Sequence, residues 1–189
     1  MAAIVRALFL VAACTLVTAC SGAQASVPND VRRFLGEDAV SILQHPQRVE
    51  LYRVRSARIG YRGIPVSATA PTSNRIDDLE VRAVAPKQDA DFGRKFGALF
   101  LSRDAYLFGF VKACIFQPDT VVRVHGPGGG GWVQFVLCFS CSEFHVATFD
   151  EHGKRVHSGA GPEDFDGVED RLKSLIDRAF RAGAATQPA

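Results

Sequence analysis

Between Asn29 and Leu43 the apolar residues Val31, Phe34, Leu35, Ala39, Ile42 and Leu43 fall at the three-and-four spacing of one helical face. Asn29 is a candidate cap and Gly36 a weak point. His45-Pro46 stops the helix, because the residue before a proline avoids the helical region. From Arg48 to Arg55 the period drops to two, with Val49 and Leu51 on one side and Glu50 and Tyr52 on the other, which predicts a half-buried strand. Ile64 to Ala68 and Leu79 to Val84 read as two more strands, with Ala70 to Asn74 as the loop between them.

Helical spacing returns from Asp91 to Arg103, where Phe92, Phe96, Leu99 and Phe100 form a stripe opposite Arg94, Lys95 and Arg103. Tyr106, Phe108 and Phe110 lead into Cys114, and Pro118-Asp119 turns the chain into a strand from Thr120 to His125. A glycine-rich loop, Gly126 to Gly131, joins that strand to the apolar run beginning at Val133, which stops at Cys138-Phe139-Ser140-Cys141. Glu143 to Phe149 follows almost at once, so these three strands predict an antiparallel meander. Asp150 to Gly161 reads as a connection. The last helix carries Val168, Leu172, Leu175, Ile176, Ala179 and Phe180 on one face, with Asp166 and Glu169 spaced as a capping box.

The order helix, three strands, helix, three strands, helix predicts an α+β fold. Its expected form is a two-layer domain: an antiparallel sheet of about five or six strands with three helices packed mainly on one face. The expected boundaries are a leader at 1–19, a tether at 20–28, one domain at 29–182 and a frayed tail at 183–189.

Charge narrows the partners. The chain carries a formal +2, and Arg6 lies in the leader, so the remainder is close to neutral. That balance lacks the basic excess that a nucleic-acid surface requires, and no nucleic acid is expected. The glycine run lacks the Gly-Lys-Ser/Thr ending of a phosphate loop, and no helix follows it to present amide groups. No cofactor is expected.

The leader has the parts of an export signal: Arg6 for charge, Ala7 to Val17 for the apolar core, and small residues after it. The core is too short for a membrane-spanning helix, which needs roughly 20 residues. Val17-Thr18-Ala19-Cys20 resembles the lipobox of bacterial lipoproteins, which implies lipidation of Cys20 after cleavage. The competing reading is an ordinary signal cut at Ala23-Gln24-Ala25, with Cys20 discarded. Ser21, where aspartate would mark inner-membrane retention, implies the periplasmic face of the outer membrane. The membrane, through the N-terminal lipid, and an envelope protein are then the expected partners.

The segments Ala113-Cys114-Ile115-Phe116-Gln117-Pro118, Val121 to Val124, and Val133 to Leu137 closing on Cys138-Phe139-Ser140-Cys141 resemble an uncharacterised bacterial family. Its members share a Cys-x-x-x-Pro turn and a strand ending in Cys-Phe-x-Cys; Val49 to Val54 resembles their first strand. The resemblance supports a domain and implies no activity.

Export permits disulfides that the cytosol would reduce. With Cys14 in the leader and Cys20 lipidated, Cys114, Cys138 and Cys141 remain, an odd number. In one reading Cys114 pairs with Cys138 or Cys141 and the third thiol is a small buried hydrophobe. In a second, Cys138-x-x-Cys141 is a redox dithiol, although no helix N-terminus is there to activate it. In a third, the three thiolates and His125 or His145 hold a tetrahedral zinc.

Ser140 has no base nearby in sequence and sits in no Gly-x-Ser-x-Gly elbow. Asp77-Asp78 and Glu163-Asp164 fit capping and solvation, and His152 and His157 lie in polar connections. Trp132 is read either as an anchor for a partner or as packing at a strand start. The function these features point to is a lipid-anchored envelope protein with a non-catalytic binding or assembly role. The alternative is a metal- or thiol-dependent envelope enzyme using Cys114, Cys138 and Cys141.

Overall fold

The computed structural model describes residues 26–56, 75–110 and 112–184. The leader, Cys20, the expected strand at Ile64 to Ala68, its following loop and residues 185–189 of the expected tail lie outside these residues.

The fold is α+β, with an open antiparallel sheet and four α-helices among the described residues. The strands are β1 (Arg48–Ser56), β2 (Arg75–Ile76), β3 (Leu79–Val84), β4 (Thr120–His125), β5 (Trp132–Cys138), β6 (Glu143–Phe149), β7 (Arg155–Ser158) and β8 (Glu163–Asp164). They run in the order β2-β3-β1-β4-β5-β6-β7, with β8 paired to β6. The helices are α1 (Asn29–Leu35), α2 (Glu37–Gln44), α3 (Ala90–Phe100) and α4 (Glu169–Ala184). Both element counts exceed the expectation. β2, β7 and β8 are only two or four residues long, and such strands are too short to show a period.

The first helix is two. Gly36 adopts φ +83°, a left-handed conformation, and a Cβ there would come within 2.9 Å of the His157 ring. The apolar periodicity runs through the break because α1 and α2 still bury the same side. Val31, Leu35, Ala39 and Leu43 are all at most 1% exposed.

The β4-β5-β6 meander forms as the sequence predicts, in unbroken register from His125↔Trp132↔Phe149 to Leu137↔Phe144. The stretch expected to be only a connection contains β7, which pairs with β6 through Ala147↔Ser158. α3 begins earlier than its stripe indicates because Asp89 caps it, accepting from Phe92 N–H at 3.0 Å, and ends at Phe100. The expected capping box before α4 does not form. Asp166 to Val168 make a turn of 3-10 helix, and Glu169 instead accepts from the Ser142 hydroxyl at 2.6 Å.

All four helices contribute to one apolar cluster with Val49, Leu51, Val122, Val124, Val133, Phe135, Leu137, Phe144 and Val146 of the sheet. Because side chains alternate along a strand, the residues between these point to the other face. There Tyr52, Val54, Val121, Val136 and Cys138 join Ile76, Leu79, Phe116 and Cys141 in a second cluster. Both faces of the central strands are therefore buried. Strand residues expected to face solvent, Tyr52 among them, are instead enclosed.

Candidate functional site

Two groups of chemically active residues occupy the second face, at opposite ends of the central strands. The first is the cysteine corner. β5 ends at Cys138, and Cys141 N–H donates to the Cys138 carbonyl at 3.3 Å, closing a turn that reverses the chain into β6. The extended stretch before β4 runs alongside it. Cys114 and Cys141 are joined in a disulfide, with Cα atoms 6.0 Å apart. Cys138 is fully buried and unpaired. Its sulfur receives the Gln117 N–H at 3.3 Å and lies 3.2 Å from the Ser140 hydroxyl.

Two further side chains pin the corner. Asp119 accepts from Phe139 N–H and from the Thr120 hydroxyl, each at 2.7 Å, while burial pushes its carboxyl up. Lys112 donates to the Cys141 carbonyl at 2.9 Å and to Asp166 at 2.8 Å, and it pairs with Asp164. Asp164 is 4% exposed, so solvation does not describe it, while its capping role holds: Oδ1 accepts the Asp166 N–H at 2.7 Å at the start of the 3-10 turn. Solvation does not describe His157 either: its Nε2 lies 2.9 Å from the Phe34 carbonyl oxygen.

His145, two residues along β6 from the partner of Cys138, packs edge-on against Phe116 with centroids 4.7 Å apart. Burial holds its imidazole down to about 4. His125 is elsewhere. It pairs with Trp132, at the far end of β5 from Cys138, about 20 Å away at the strand rise. With two sulfurs in the disulfide and His125 at the other end, the four-ligand zinc set does not assemble. Among the described residues no group of three His, Cys, Asp or Glu is placed to hold a metal ion.

The second group is at that far end, beside the Gly126 to Gly131 turn. Cross-strand pairing puts Arg48, His125 and Trp132 in one row and Glu50, Arg123 and Gln134 in the next, all on the second face. Glu50 is the hub. It accepts from the Tyr52 hydroxyl at 3.0 Å, and it lies 3.4 Å from Arg48 Nη1 and 3.2 Å from His125 Nε2. Arg48 can only donate, so the His125 Nδ1 that faces it at 3.2 Å is an acceptor, and the ring proton is on Nε2, toward Glu50. His125 and Tyr52 together hold the Glu50 carboxyl down to about 2. Burial, then the Glu50 charge, pushes the Tyr52 phenol up to about 12.

Arg123 and Gln134 are 3% and 1% exposed. Arg123 Nε donates to Gln134 Oε1 at 2.7 Å, and the guanidinium carbon lies 5.9 Å from the Trp132 ring centre. Burial pushes the guanidinium down, against the pull of Tyr52, Asp77 and Glu50.

Sequence pattern marks out Trp132 and His125 but not Arg123 and Gln134. The signal was present: each is a lone polar residue inside an otherwise apolar strand, Val-Val-Arg-Val and Val-Gln-Phe. Their alternation resembled a solvent face, and only the burial of both faces distinguishes the two cases.

Comparison with protein-family models, with curated proteins and with solved structures gives no match. Function is therefore argued from geometry.

Proposed function

We propose that this chain is a lipid-anchored cell-envelope domain that acts by binding or assembly, held at the periplasmic face of the outer membrane through Cys20. The observation that carries the reading is the Cys114–Cys141 disulfide. A stable bridge of this kind belongs to an oxidising compartment. It agrees with the export-type leader and with the lipobox-like Val17 to Cys20.

In this reading the disulfide is a staple and Cys138 is packing. Cys138 is fully buried, and the turn that carries the cysteines is not a helix N-terminus, the usual device for making a reactive thiolate. The domain keeps a two-layer plan, with helices on one face of the sheet and recognition on the other. The polar rows at the glycine-turn end are the part of that second face suited to recognition, because their buried charges and amides are arranged across three adjacent strands.

Globomycin, or Cys20→Ala, is expected to accumulate the unprocessed chain and to move it out of the outer-membrane fraction. An unchanged mature species would overturn the anchor. Alkylation before and after reduction in whole cells is expected to report Cys114 and Cys141 as oxidised; a reduced pair would overturn the compartment.

A further inference from the structure

Buried hydrogen-bond donors in native proteins nearly always have acceptors, and each exception calls for an explanation. Four exceptions sit together here, one of them His125 Nε2, which lies 3.2 Å from Glu50 without forming a hydrogen bond to it. The other three, Arg123 Nη2, Gln134 Nε2 and Trp132 Nε1, are inaccessible to solvent and have no hydrogen-bond partner among the described residues.

Their placement is set by the strands. Arg123 and Gln134 are direct cross-strand partners, and the Nε to Oε1 bond between them turns the amide so that Nε2 is its free end. Trp132 is two residues along β5 from Gln134, on the same face and within cation–π range of the guanidinium. The next position across the sheet from Gln134 is Ala147, whose methyl group offers no acceptor.

The nearest carboxylate does not serve them. Glu50 is across from Arg123, yet its oxygens face Tyr52, His125 and Arg48, and it forms no ion pair with Arg123. Asp77 acts on Arg123 through its charge.

The missing group must accept several hydrogen bonds and need donate none. A water molecule has two lone pairs and two hydrogens to place. A carboxylate has about four acceptor positions, no hydrogen, and a charge that suits a guanidinium. We infer that Arg123, Gln134 and Trp132 form a binding site for the carboxylate of a small organic acid, next to the exposed Arg48 and the half-buried His125 at the glycine turn. The site gives the binding role proposed above a ligand class and rests on that reading for its biological setting.

Trp132 is the chain's single tryptophan, so its indole N–H and fluorescence report on the site without ambiguity. The test uses the full chain in a non-ionic detergent, titrated with acetate and with benzoate at constant ionic strength. The expected result is a saturable downfield shift of the indole N–H with at least one of the two acids. Sodium chloride alone should leave it in place. Gln134→Glu supplies a carboxylate from within, so it should fold normally and weaken the response at least tenfold. Arg123→Lys, where it folds, should do the same.

A flat titration with both acids overturns the site. So does an equal response to chloride, which would mark an unselective anion effect, or an undiminished response in Gln134→Glu. These failures leave membrane attachment intact, whereas loss of the anchor leaves the titration intact, so the two readings fail separately.

Discussion

Lys112 places its ammonium 2.5 Å from a carboxylate oxygen of Asp164, a residue 4% exposed, and in doing so ties the disulfide corner to the approach to α4. The pair is asymmetric: the lysine can reach water, while the aspartate cannot. Lys112→Met is therefore expected to leave a buried charge without its cation and to cost about 2–4 kcal/mol. Adding Asp164→Asn should restore part of that loss. Urea unfolding of the two single variants and the double variant, read as a cycle, measures the coupling, and additive losses would show that the pair contributes nothing.

Acid should act through His145. Its imidazole titrates near 4 in the folded protein, below its ordinary 6.5, because burial disfavours the cation. The unfolded chain thus takes up the proton first as pH falls. The stability that neutral His145 contributes is fully present above pH 6.5, declines between 6.5 and 4, and changes no further below 4. The 2.5-unit gap corresponds to about 3 kcal/mol. Thermal unfolding of His145→Gln should be less pH-dependent than the parent across that window, and parallel curves would refute the assignment.

Removing the bridge with Cys114→Ser should destabilise the protein by about 3–4 kcal/mol, from the 27-residue separation it closes. Cys138 should stay unreactive toward iodoacetamide in the native parent and react on denaturation, since it is fully buried. Mass mapping of the alkylated peptides separates Cys138 from the rest. Labelling of native Cys138 at the rate of an exposed thiol would contradict its position.

Alanine is the better helix former, yet Gly97→Ala in α3 should destabilise. A Cβ at that position would sit 2.4 Å from the Leu43 carbonyl oxygen, a backbone atom that cannot move without shifting α2. The propensity gain of about 1 kcal/mol should be outweighed, for a net loss of about 1–3 kcal/mol in unfolding midpoint terms. A stabilised variant would mean that α2 and α3 separate easily.

Periodicity located the long elements well. β4 and β6 begin and end where their alternation does, and the buried stripe of α4 is the one its spacing shows. What escaped was local or non-local in a way composition does not record. Gly36 was legible as a weak point but not as the full break it makes at φ +83°, beside a histidine ring 121 positions away, and β7 exists because β6 offers it an edge. Counting cysteines exposed the odd thiol, but the choice of Cys141 over Cys138 depends on how the stretch before β4 is laid against the turn: it brings Cys114 to Cys141 and the Gln117 N–H to the Cys138 sulfur. Arg123 and Gln134 were the costliest omission. A polar residue alternating with valines reads the same whether it meets solvent or a second apolar layer, so their burial needed the tertiary fold.

The ends of the sheet set a further condition on how this protein meets others. Among the described residues the outermost strands are β2, with two residues, and β7, with four and an irregular register against β6. Unpaired main-chain edges are where an incoming extended chain would be captured, or where copies would stack into fibres. β2 pairs with Leu79 and Glu80 alone, so among the described residues the longer open edge is Val81 to Val84 of β3. The paired charges of Glu80 and Arg82 sit on that strand, and charge on an edge is what discourages a second copy from adding to it.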